Sequence, residues 1–137
     1  MGILDIIAVI AAGFGAGLGA YALVRPEFGS NLTRLKADPA RPGGYAEFRA
    51  TLGGMMLFLH LAYIGAAFTG FGAIGAAAVL SAGWGGAALG RIVSLLLDGD
   101  KGVRVQHTYV SVAIEVTVAA IFAAPAVAFA SAGLPTP

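Results

Sequence analysis

The chain has no cysteine and very little charge. Without thiols there is no disulfide, no thiolate nucleophile and no cysteine-ligated metal. Charged residues make up 11% of the 137 residues, where a water-facing domain ordinarily carries about 25%. So little charge cannot cover a solvated surface, which leaves lipid as the fitting solvent. The formal net charge of +1 makes no electrostatic case for a nucleic-acid partner. Catalytic signatures are missing as well: there is no glycine-x-serine-x-glycine elbow, no phosphate-binding glycine loop and no His/Glu metal motif. Nothing pairs a nucleophile with a positioned base. No residue argues for an enzyme, and no metal or cofactor is expected.

What the chain does have is apolar length. Its hydrophobic fraction is 58% and its mean hydropathy +0.87. A helix crosses a bilayer with about 20 apolar residues, and four stretches reach that length: about 3–24, 48–68, 73–97 and 108–130. Thr69-Gly70-Phe71-Gly72 is a tight connection between the second and third. The expected fold is all-α, an integral membrane four-helix bundle with antiparallel up-down-up-down topology and short loops, as a single transmembrane domain over 1–137. Met1 to Asp5 contains no Lys or Arg, and the apolar run after it exceeds a signal-peptide core, so the first stretch reads as a retained helix.

The positive charges have a one-sided distribution. Arg25, Arg34, Lys36, Arg41 and Arg49 lie in or beside the first loop, and Arg91, Lys101 and Arg104 in or near the third. The positive-inside rule then puts loops 25–47 and 98–107 in the cytoplasm and both termini in the periplasm of a bacterial inner membrane. The first loop holds Pro26, Pro39, Pro42 and a Gly43-Gly44 pair. Within it, Asn31 to Ala37 reads either as a short interfacial helix, with Arg34 and Lys36 near lipid phosphates, or as a solvated loop. Pro125 is expected to kink the last helix, and Ser131 to Pro137 to form a tail.

Most of the 21 glycines fall inside apolar runs, with no collagen period. Small residues let helices approach closely in lipid, where no hydrophobic force draws them together. Gly13, Gly15, Gly17 and Gly19 make two overlapping glycine-x-x-x-glycine pairs; Gly86 and Gly90 make a third, and Gly53-Gly54 opens the second span. These faces pack helices within the chain, or dock a second copy or a partner subunit.

Ionisable residues inside a span are costly and are paired or functional. Arg91, Ser94 and Asp98 share one face of the third span, and Thr108, Ser111 and Glu115 one face of the fourth. Arg91 lies seven residues before Asp98 and Glu115 seven after Thr108, each roughly 10 Å deeper at 1.5 Å per residue. An Arg91–Glu115 ion pair is therefore predicted, within a wider network with Glu47, Arg49 and Asp98. That network reads as a clamp fixing helix register, as a polar pocket for a lipid headgroup, quinone or small anion, or as a path for protons or ions. His60, mid-span with Met56 and Tyr63 on its face, offers a ligand for haem or pigment, although a lone imidazole on an apolar helix is more often hydrogen-bonded to a neighbour. His107 lies at another depth and does not complete a bis-histidine site.

One resemblance gathers these residues. Arg-Pro-Glu ends the first helix, Glu47 to Gly54 (EFRATLGG) opens the second, Ala88 to Gly99 (ALGRIVSLLLDG) closes the third, and Glu115 lies in the fourth. The pattern, over roughly residues 10–130, resembles the bacterial four-helix family called domain of unknown function 4345. The resemblance implies four helices and marks Glu47, Arg49, Gly53, Gly54, Gly90, Arg91, Asp98, Gly99 and Glu115 as the family-type positions. It implies no activity, and His60 is not part of it. The functional expectation is a non-enzymatic accessory or scaffold subunit, associating with itself or with a larger membrane complex. The alternative is a binding protein or carrier for a lipophilic anionic ligand, lipid or quinone, at the Arg/Glu cluster.

Overall fold

Ile3–Val24 carries no helix-breaking proline, and it forms one unbroken helix, α1. The computed structural model describes residues 1–131, of which the helices hold most; the protein is 84% helix, with no strand among the described residues. The tail expected over Ser131 to Pro137 lies, beyond Ser131, outside the described residues. After α1 come α2 (Pro26–Thr33), α3 (Gly44–Thr69), α4 (Ala73–Leu97) and α5 (Gln106–Ser131). Helices α1, α3, α4 and α5 are each long and apolar enough to cross a membrane.

Of the two readings of Asn31 to Ala37, neither places the short helix that the first loop does form. Instead of Asn31 to Ala37, it occupies Pro26–Thr33. Pro26 sits in its first turn, where a missing N–H costs nothing and a fixed φ favours helix. It stops at Arg34, whose φ of 59° is left-handed, and the Ser30 hydroxyl then donates to the Leu35 carbonyl. The second span starts earlier than expected, at Gly44 rather than 48. Gly43 turns the chain into it with a φ of 112°, a conformation that only glycine adopts without strain.

Residues 9–69 form one compact unit. Within it α1 and α3 run antiparallel and touch backbone to backbone. A Cβ on Gly19 would lie 2.5 Å from the Leu57 nitrogen, and one on Gly53 2.7 Å from the Leu23 Cα. Phe48–Met55 of α3 is wound as a π-helix, a form rare enough to mark strain or function where it occurs. It contains Gly53, against which α1 rests.

Residues 70 onward, with Met1–Ala8, form the other compact unit. Its centre is an antiparallel hairpin of α4 and α5, joined by the turn Gly99–Lys101. The Ser81 hydroxyl reaches across to the Ala119 carbonyl at 2.9 Å. Pro125 lies inside α5.

The distribution of side chains is that of a protein in lipid. The buried apolar set is dominated by alanine, namely Ala8, Ala12, Ala16, Ala22, Ala77 and Ala88, whereas Phe14, Phe58, Phe68 and Leu96 are each about 70% exposed. In water that arrangement would forfeit the burial of the largest apolar groups. In a bilayer, close packing of small residues holds the helices and the large side chains face acyl chains.

Candidate functional site

Arg91 on α4 and Glu115 on α5 meet as predicted. Arg91 Nε donates to both carboxylate oxygens of Glu115, at 2.8 and 3.0 Å. The partners differ in exposure: the Glu115 side chain is 8% accessible and that of Arg91 35%. The carboxylate is the enclosed member, and the longer arginine reaches it from a more open position.

Asp98 takes other partners. Its carboxylate accepts from the Ser94 hydroxyl at 2.9 Å and from Lys101 Nζ at 2.7 Å. The lysine, first by its hydrogen bond and also by its charge, together with the serine, holds the Asp98 carboxyl below the ordinary carboxylate range. Arg104 donates to the Leu95 carbonyl at 3.3 Å, satisfying one of the acceptors that a helix C-terminus leaves open. Its guanidinium covers Gly99, where a Cβ would come within 2.7 Å of it.

In the unit of residues 9–69, Arg49 has a role that the sequence did not suggest. Its Nη1 donates to the carbonyl of Leu23, and at 3.4 Å to that of Val24. These are terminal carbonyls of α1, where the helix dipole is negative. Of the residues expected in one network, Arg91 pairs with Glu115 and Asp98 with Ser94 and Lys101, and in the unit of residues 9–69 Arg49 pairs with backbone. Glu47 is exposed and makes no ion pair among the described residues.

His60 is 2% exposed. Its Nδ1 lies 2.6 Å from the Met56 carbonyl and so carries the ring proton. Nε2 is turned toward α1, where a Cβ on Gly15 would lie only 2.3 Å away. A metal at Nε2 would need α1 and α3 to part. Among the described residues no three His, Asp or Glu side chains gather as metal ligands.

Gly15 and Gly19 supply the close approach of α1 to α3, with Gly53 facing them. A Cβ on Gly13, Gly17, Gly86 or Gly90 would meet no atom within 4 Å, and one on Gly54 only the Arg49 carbonyl of its own helix at 3.6 Å.

A cleft of about 490 Å³ opens where the first loop meets the start of α3. Leu35, Phe48 and Leu52 give its lining an apolar part, and Lys36, Arg41 and Glu47 a charged part. Sequence reasoning placed Lys36 near lipid phosphates but did not bring it together with Glu47. The signal was the proline-rich loop returning to the span.

Comparison with protein-family models, curated proteins and solved structures gives no match.

Proposed function

We propose that the protein is a non-enzymatic accessory or scaffold subunit of a bacterial inner membrane, associating with itself or with a larger complex through glycine-lined helix faces. The observation that carries this reading is the division of the glycines. Gly15, Gly19 and Gly53 are covered within the unit of residues 9–69, while a Cβ on Gly13 or Gly17 would meet nothing within 4 Å in that unit, nor one on Gly86 or Gly90 in the other. Open small-residue faces let another helix approach closely. Membership of the family called domain of unknown function 4345, an up-down-up-down bundle and periplasmic termini belong to the same proposal. Capture of an anionic lipid or quinone by Arg49 and Arg91 is the weaker reading, because the ligand would compete with the Leu23 and Val24 carbonyls and with Glu115.

Native mass spectrometry of protein extracted in several mild detergents tests the reading. Dimers or a co-purifying subunit are expected, reduced by Gly86→Leu or Gly13→Leu. A lone monomer in every detergent would count decisively against it. The absence of cysteine makes the topology directly accessible: Lys101→Cys should label only from the cytoplasmic side and Gly2→Cys only from the periplasmic side.

A further inference from the structure

We infer that the cleft between the first loop and α3 is a binding site for the headgroup of a zwitterionic aminophospholipid. The inference stands apart from the scaffold reading, since a monomer would carry the same cleft. Three observations lead to it.

The first is position. The cleft lies at the end of a helix long and apolar enough to span the membrane, on the side where that helix passes into a polar loop carrying Lys36 and Arg41. Long basic side chains at such a boundary extend to headgroup level.

The second is size and lining. A volume of about 490 Å³ falls within the range of roughly 300–1,000 Å³ usual for small-molecule sites. The apolar part of its lining, Leu35, Phe48 and Leu52, suits the glycerol and first methylenes of a lipid, not a free ion. Phe48 is buried at 8% exposure, which gives the cleft one fixed apolar wall.

The third is charge. Lys36 and Glu47 line the same cleft, yet neither makes an ion pair among the described residues, and they do not pair with each other. Arg41 and Asp38 are 3.8 Å apart, and both are largely exposed. Unpaired charges of opposite sign beside apolar side chains in one cleft match a molecule with a phosphate at one end and an ammonium at the other. Lys36 takes the phosphate; Glu47 accepts from the primary ammonium, a hydrogen bond that charge assistance strengthens. The lining carries two cations and two anions (Lys36, Arg41, Asp38, Glu47), so a neutral zwitterion leaves it balanced and an anionic lipid does not.

The full-length protein in nanodiscs of equimolar phosphatidylethanolamine and phosphatidylglycerol provides the test, read as lipids retained in native mass spectrometry. Wild type should retain phosphatidylethanolamine about fivefold over phosphatidylglycerol, the effect of one charged contact at a membrane surface. Lys36→Gln should lower retention of both lipids, and Glu47→Gln should bring their ratio to about one. Glu47→Lys should reverse the preference, a gain that misfolding cannot mimic. Equal retention by wild type, or a ratio unmoved by either Glu47 substitution, overturns the inference. So does binding of water-soluble phosphoethanolamine as tight as that of the lipid, which would assign the cleft to a soluble ligand.

Discussion

Nε of Arg91 reaches both carboxylate oxygens of Glu115 across the α4–α5 hairpin, and the acidic partner is the more enclosed of the two. This asymmetry separates the two ends of the pair in energy. Arg91→Met leaves a carboxylate without a partner inside the protein, whereas Glu115→Gln leaves an arginine able to extend toward the interface. We expect Arg91→Met to cost about 3 kcal/mol, the scale for removing one member of a buried pair, and Glu115→Gln about 1 kcal/mol, near the value for interhelical polar contacts in membranes. Unfolding in mixed micelles measures both. Equal losses would mean that enclosure does not set the cost.

The glycines of α1 divide by face. Gly19→Ala presses a methyl onto the Leu57 backbone, which cannot give way as a side chain tip can, so a loss of about 1–3 kcal/mol is expected from overpacking. Gly17→Ala meets nothing within 4 Å and should stay within about 0.5 kcal/mol of wild type in the monomer. Thermal melts of the two variants in detergent make the comparison. If Gly17→Ala were the more damaging, the α1–α3 contact would run through the other glycine pair.

Arg49 closes the end of α1. Arg49→Met removes the donor to Leu23 and Val24 and should cost about 1 kcal/mol, the scale of a charge at a helix C-terminus. Arg49→Lys keeps the charge but loses the planar fork, and should recover only part of that. Hydrogen exchange at the last turn of α1 reports the effect locally, and unchanged protection in Arg49→Met would remove the capping role.

Asp98 gives a pH dependence of determinate sign. Its folded-state carboxyl titrates below the ordinary range because Lys101 and Ser94 hold the charged form. The stability it contributes is present above the unfolded value, near pH 4, and is lost as pH falls through the lower folded value. Wild type and Asp98→Asn should therefore differ by a constant amount from pH 5 to 8 and converge below about pH 4. Melting curves across that range show the convergence, and parallel curves down to pH 2.5 would exclude this role.

The Arg91–Glu115 pair was legible before the fold because depth in a helix is counted along it, and Arg91 stands seven residues before Asp98 as Glu115 stands seven after Thr108, on either side of a common loop. The companion roles of Glu47 and Arg49 were not legible. Counting locates a charge along a helix but does not fix which way it turns, and the π-helical stretch Phe48–Met55 changes the rotation of the residues within it. His60 was visible as an isolated imidazole; that Gly15 closes over its Nε2 depends on how α1 lies on α3.

What the sequence determined by itself is the number of spans, the solvent they suit and the loops that carry positive charge. Hydropathy, length and composition are properties of contiguous residues, and the cost of an unpaired backbone group in hydrocarbon leaves helix as the way a single apolar segment satisfies them. Tertiary structure alone decided which of two equivalent glycine pairs lies against α3, that Arg49 caps the end of α1, and that Lys36 and Glu47 line one cleft unpaired. Each of these depends on rotation about a helix axis and on the return path of a loop. A residue's number constrains neither.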